Sequence, residues 1–278
     1  MFRTIARRSL SPLLALLLVL GPVLPAGAED TAPLPKRPGG AAPPSGKADP
    51  RSRLPGEAPD MHLGQLPELP LSAIGLVELN SGFCTGTVVG RRAVLTAAHC
   101  VFNDFGNVSM PRRFLAGQGD DGYVAKAKVV EAYVNPDFNL KLFQESNDID
   151  GLDWAILELD RDIADSTGMV EIAPLDRHQL RAISGGDDGF VQIGYGEEDG
   201  DRVTIRSGCK VIEAWEDDTF GHNCGSVQGD SGGPDLALID GRWQIIGIES
   251  AEIDTDRLEG VDMAVGARAF AEEAARHQ

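Results

Sequence analysis

Positive charge is scarce in this chain. Its 278 residues include 25 Lys and Arg against 43 Asp and Glu, a formal charge of −18. Such a surface repels nucleic acid and anionic lipid, which argues against both as partners and favours basic ones. Long apolar runs are scarce too. The stretch Leu10 to Leu20 is too short to span a bilayer comfortably, and Pro22 and Pro25 interrupt its far end, so no stable membrane anchor is expected. Few long segments have helical period apart from Ala267–Arg276, and no internal repeat is visible. Cysteines number only four, an even count that suits disulfides in an oxidising compartment.

What is present begins with an export signal. Arg3, Arg7 and Arg8 precede the short apolar core, and Ala26-Gly27-Ala28 closes it with small residues. That order is a cleavable signal peptide over residues 1–28, so the expected destination is periplasmic or extracellular. Its removal takes three arginines and no acids, leaving a charge of −21. Residues 29–70 hold ten of the seventeen prolines and no long apolar run. They cannot bury enough apolar surface to offset their ordering entropy and read as a disordered linker or pro-segment.

From Leu71 onward the pattern is short strands and turns. Expected strands are 74–79, 86–89, 93–96, 123–133, 154–159, 189–195, 209–215, 243–249 and 261–264, separated by Gly and Asp clusters. These 208 residues suit an all-β sandwich or one or two barrels, and composition does not choose among them.

Three segments carry chemistry. Leu95-Thr96-Ala97-Ala98-His99-Cys100 ends a strand, Asp153-Trp154-Ala155-Ile156-Leu157 opens one, and Gly229-Asp230-Ser231-Gly232-Gly233-Pro234 is a glycine-rich turn. A serine hydroxyl needs an adjacent base to act as a nucleophile at neutral pH, and histidine titrates in the right range to take and return its proton. Asp148 and Asp150 stand near Asp153, but only Asp153 directly precedes the Trp-Ala-Ile-Leu run.

Together, and in this order, these segments resemble the chymotrypsin-like (trypsin-like) serine peptidase superfamily over Leu71 to the C-terminus. The run from Ser72-Ala73-Ile74-Gly75 through Cys84-Thr85-Gly86-Thr87 resembles its bacterial secreted, glutamyl-endopeptidase-like branch. The resemblance implies an all-β fold of two six-stranded antiparallel barrels, about 71–172 and about 182–266, with a short C-terminal helix at about 267–276. It implies an exported, monomeric endopeptidase acting on polypeptides, with Ser231 as nucleophile, His99 as base and acid, and Asp153 as the orienting carboxylate. The N–H groups of Gly229 and Ser231 would form the oxyanion hole, and the bridges would be Cys84–Cys100 and Cys209–Cys224. A zinc site from Cys209, His222 and Cys224 is the rival for the second pair.

The resemblance also frames a primary pocket from Gly225, Ser226, Glu249, Ser250, Ala251, Glu252 and Gly260, with Ser250 supporting Asp153. A carboxylate at 249 would repel acidic side chains and favour Arg or Lys before the scissile bond. If Glu249 turns outward, the pocket takes small or apolar residues instead. In two-chain relatives the equivalent of Asp230 pairs with a newly cleaved α-ammonium. No Ile-Val-Gly-Gly start precedes Cys84, so cleavage-dependent activation as a zymogen is open, and so is whether Asp230 pairs with such an ammonium or with another partner. No cofactor or metal is expected. Asp148–Asp153 lacks the glutamate of an ion-binding loop, and it reads, with Glu197–Asp201, as a solvated turn. The competing function is a catalytically inactive, peptidase-like binding protein.

Overall fold

A computed structural model describes residues 68–278 apart from 104, 147–150, 186–188, 197–199, 201 and 254–259. The signal peptide, nearly all of the Pro-rich segment, Asp148 and Asp150, most of the acidic stretch 197–201, and the Glu252 side chain lie outside the described residues.

Six strands close on themselves first: β1 (Ile74–Glu78), β2 (Phe83–Val88), β3 (Ala93–Thr96), β4 (Arg113–Ala116), β5 (Ala125–Val134) and β6 (Ala155–Leu159). They run in the order β1-β2-β3-β6-β5-β4, and β4 pairs back to β1. In β4, Phe114 and Ala116 turn inward and are fully buried, while Arg113 and Leu115 lie between core and solvent. Strand β6 is buried more continuously: Ala155, Ile156, Leu157 and Leu159 show no exposed surface. Only Glu158 leans out, meeting Arg92 at 3.2 Å. Each buried Ile or Leu contributes about 2 kcal/mol, so β6 anchors the barrel from whose end Asp153 projects.

Helix α1 (Leu140–Ser146) interrupts the chain between β5 and β6. Asn139 caps it, its side-chain oxygen accepting from the N–H groups of Lys141 and Leu142 at 3.0 and 3.2 Å. The link between the halves carries α2 (Ala164–Thr167), β7 (Glu171–Ile172) and α3 (Arg177–Gly185). A capping box starts α3: Asp176 accepts from the N–H of Gln179 at 2.9 Å, and Gln179 accepts from that of Asp176 at 2.9 Å. The Asp-Arg-His-Gln run spells that box, yet its helix is too short to show a period.

The second half holds β8 (Phe190–Gly194), β9 (Thr204–Cys209), β10 (Val211–Ala214), β11 (Thr219–His222), β12 (Pro234–Ile239), β13 (Arg242–Ile253) and β14 (Val261–Gly266). The hydrogen-bonded order is β10-β11-β14-β13-β12-β8-β9, with β7 parallel against β13. Strands β9 and β10 sit at opposite ends of that order, but only Lys210 separates them in the chain. The second half is therefore a curled sheet whose edge strands follow one another in the chain, and not the second closed six-stranded barrel that the resemblance implies. Strands β4, β9, β11 and β12 were not expected from the sequence. Strands β4 and β11 are only four residues long, and Gly208 in β9, Gly221 in β11 and Pro234 at the head of β12 read as turn residues. The carboxyl-terminal helix is smaller than 267–276, a 3-10 turn at Ala267–Ala269 followed by α4 (Ala271–Ala275).

Both disulfides form as the resemblance implies, Cys84–Cys100 and Cys209–Cys224. The second commits both sulfurs that a zinc set would need. Cys84–Cys100 spans 16 residues and ties β2 to the turn that carries His99. Replacing both cysteines of that pair by serine is expected to cost about 3 kcal/mol of stability. A urea titration should show a lower midpoint.

Candidate active site

The site lies where the barrel meets the curled sheet, and Thr85 on β2 stitches the seam. Its hydroxyl donates to the Gly229 carbonyl at 2.9 Å and accepts from the Tyr195 N–H at 3.0 Å. Its own N–H donates to the Ser231 carbonyl at 2.9 Å. The turn 229–233 is thereby pressed against the strand end that leads into His99. A Cβ at Gly232 would lie 2.3 Å from Thr96 Oγ1 and 2.6 Å from the Ala97 nitrogen, so the approach requires glycine.

Asp153 is fully buried and receives three hydrogen bonds. The backbone N–H of His99 donates to Oδ1 at 2.8 Å. His99 Nδ1 lies 2.8 Å from Oδ2, and the Ser250 hydroxyl donates to the same oxygen at 2.6 Å. A carboxylate gripped on both oxygens fixes the ring's position and makes Nδ1 the protonated nitrogen, leaving Nε2 to take a proton. On the other side, Phe143 of α1 stacks on the His99 ring with centroids 5.0 Å apart and planes 20° from parallel. Leu140, Phe143, Trp215 and Met263 form a small apolar cluster behind it. Ser231 is half-buried on the neighbouring turn, and among the described residues its hydroxyl has no hydrogen-bond partner. The structure thus joins His99, Asp153 and Ser250 directly, and brings Ser231 to the same seam without a direct bond to His99.

Gly229 has φ +104°, a region that favours glycine, and a Cβ there would strike Phe83 Cε2 at 2.5 Å. Among the described residues, the N–H groups of Gly229 and Ser231 have no acceptor, so two backbone donors remain beside the hydroxyl.

Asp230 finds its partner inside the chain. Arg206 of β9 meets its Oδ2 at 2.9 Å, the carboxylate fully buried and the guanidinium nearly so. The N–H groups of Gly196 and Val227 add bonds at 2.8 and 2.9 Å. Burial pushes the carboxyl above its ordinary range, against the pull of Arg206 and those amides. Side chains at 194 or 196 would collide with it, a Cβ at Gly194 lying 2.0 Å from Oδ1. Nothing in the sequence joined Arg206 to Asp230; the Gly-Tyr-Gly spacing at 194–196 was the only local signal that backbone must come close.

In the expected pocket, Glu249 is buried rather than turned outward, 3% exposed. Its Oε2 accepts from the Ser226 hydroxyl at 2.6 Å and lies 3.1 Å from His222 Nε2. Asp262 Oδ2 accepts from the N–H groups of Gly225 and Ser226 at 2.6 and 3.1 Å. Gly225 faces open space and Ala251 is half-buried, as is Gly260 beside the undescribed 254–259. Reading the sequence singled out His222 only as a rival zinc ligand and missed Asp235 and Asp262; all three are buried around Glu249.

Burial pushes the His222 imidazole down, but the Glu249, Asp235 and Asp262 carboxylates outweigh it and raise it to about 9. Burial, aided by neighbouring carboxylates and against the pull of His222, pushes Asp235 and Asp262 far above the usual carboxylate range. All three raised values have one sign. The folded protein holds protons that the unfolded chain releases at lower pH, so their stabilisation is complete below the unfolded values. It is lost as pH rises through the folded ones. Thermal melts should therefore fall between neutral pH and a pH above that of His222, by on the order of 5 °C.

A closed barrel and a curled second sheet meeting at such a seam make this a chymotrypsin-like fold. The Trypsin family model matches residues 70–270. The solved structure of a Glu endopeptidase in complex with MPD is similar over 74% of this chain and 90% of that one, with a TM-score of 0.58 and 20% identity. At that identity the likeness is one of fold. No curated protein matches. The chain belongs to the trypsin family, and a peptidase domain of this kind takes polypeptide as substrate.

Proposed function

We propose that the chain is an exported, monomeric serine endopeptidase that hydrolyses peptide bonds through an acyl-enzyme on Ser231. The carrying observation is the Asp153 carboxylate, buried and holding both the backbone and the ring of His99. That arrangement has little structural purpose unless the imidazole must keep one orientation while its charge changes. Ser231 Oγ attacks the scissile carbonyl carbon, and its proton passes to His99 Nε2. The Gly229 and Ser231 amides receive the developing oxyanion, each worth about 3 kcal/mol. The carbon–nitrogen bond breaks as the imidazolium returns the proton to the leaving amine. Water then repeats the sequence and frees Ser231. The two disulfides and the signal-like amino terminus support export.

The primary pocket prefers Arg or Lys before the scissile bond. Glu249 turns inward, and its contact with Ser226 aims it at the segment expected to frame that pocket. Glu249→Gln is expected to lower kcat/KM for an arginyl substrate about 30-fold while leaving an alanyl substrate within about twofold. Steady-state rates on a matched peptide pair check this.

A fluorophosphonate probe tests the enzyme reading itself. Labelling of the wild type but not of Ser231→Ala supports it. Absence of labelling in folded, processed protein leaves the non-catalytic binding protein.

A further inference from the structure

Four buried ionisable side chains stand behind the pocket, and peptide hydrolysis uses none of them except Glu249. They come from four strands: His222 on β11, Asp235 on β12, Glu249 on β13 and Asp262 on β14. None is more than 3% exposed. His222 lies at the centre. Its Nε2 is 3.1 Å from Glu249 and its Nδ1 is 3.7 Å from Asp262. A carboxylate oxygen of Asp235 is within 4.8 Å of a His222 ring nitrogen. Phe190 on β8 and Phe220 on β11 close over the ring at 5.6 and 5.9 Å, which keeps the surroundings apolar. From the nucleophile turn, Asp230 adds its charge through Glu249.

Three carboxylates surround one imidazole in this space. Fully ionised, the four groups would leave two uncompensated negative charges where water does not reach. Neither oxygen of Asp235 has a hydrogen-bond partner among the described residues. A buried carboxylate so placed is unstable unless it holds a proton or a cation arrives nearby. Glu249 and Ser226 connect the cluster to the pocket, where a cation would come from substrate.

We propose that Asp235 and Asp262 are specificity-determining residues: the cluster holds a proton while the pocket is empty and releases it to solvent when a guanidinium or ammonium docks against Glu249. This rests on the basic preference proposed above and explains how the buried charge is tolerated before substrate arrives. One positive charge replaces another, so the net charge of the buried region is unchanged and no covalent bond is altered. Both carboxyls are raised toward neutral pH by burial and by their neighbours, as such an exchange requires. Discrimination between a cationic and a neutral side chain then grows as pH rises.

Two peptides differing only in arginine or isosteric, uncharged citrulline before the scissile bond provide the test. Arginine does not titrate in the working range. The ratio of their kcat/KM values at each pH cancels every pH effect common to both peptides. From about pH 6 to about pH 9 the ratio is expected to rise about tenfold in the wild type, one proton's worth of linkage. In Asp235→Asn the rise should flatten, with the change falling in KM rather than kcat for the arginyl peptide. A ratio above one but flat in the wild type, or an identical rise in Asp235→Asn, overturns the proton exchange and leaves the basic preference standing. A ratio below one at every pH overturns both. Should Asp235→Asn fail to fold, calorimetry of benzamidine binding to the wild type in buffers of different ionisation enthalpy decides. Release of a proton fraction per site supports the exchange, and none overturns it.

Discussion

Ser231→Ala is expected to lower kcat about a million-fold while the protein folds and binds peptide as before. Ser231 is half-buried and its hydroxyl has no hydrogen-bond partner among the described residues, so its removal disturbs no packing. Asp153→Asn is expected to cost about ten-thousand-fold for a different reason. An amide at 153 would have to present an NH2 either to the His99 backbone N–H or to the His99 Nδ1–H and the Ser250 hydroxyl, all of which donate to the carboxylate now. The ring would turn to its other tautomer or lose its grip. The two losses should not add. The double variant should be no slower than Ser231→Ala alone, because without the nucleophile the orientation of the base has nothing to act on. Single-turnover rates on an activated ester, with circular dichroism to confirm the fold, check all three.

Arg206→Met is expected to lower kcat by about two to three orders of magnitude and to destabilise the protein by about 3–5 kcal/mol. The Asp230 carboxylate is fully buried and 2.9 Å from Arg206. Without the guanidinium it must take up a proton or leave. Its oxygens hold the N–H groups of Val227 and Gly196, and its backbone lies between the two amides proposed for the oxyanion. Movement there misdirects those amides, so the loss should appear in kcat more than in KM. Arg206→Met combined with Asp230→Asn should regain much of the stability but not the rate. The same pair bears on activation. With Arg206 already presenting a positive charge to Asp230, the turn is expected to keep its working shape without a freed amino terminus. Chains carrying extra residues ahead of Leu71 are expected to keep the activity of the mature form. Activity assays on chains of different amino termini measure this directly.

The chemistry was legible early because each of its parts is local. His99 follows a strand, Asp153 opens another and Ser231 sits in a glycine-rich turn, and each segment has a recognisable composition whatever the rest does. Strands 93–96 and 154–159 were readable for the same reason, as apolar runs that end at those motifs. Helix α1 was not, being a single capped turn or two without a period. Its Phe143 therefore came as a surprise against the face of His99.

What the sequence by itself determined is the candidate reacting groups, the disulfide partners by resemblance, and the acidic balance of the chain. These depend on residue type and near neighbours. Only the tertiary structure decided that Arg206 answers Asp230, that Glu249 turns inward, and that His222, Asp235 and Asp262 gather behind it. Those groups come from separate strands of a sheet whose edges meet at Lys210. Their meeting is set by strand order and curl, and the free energy of a buried charge depends on what surrounds it rather than on what precedes it in the chain.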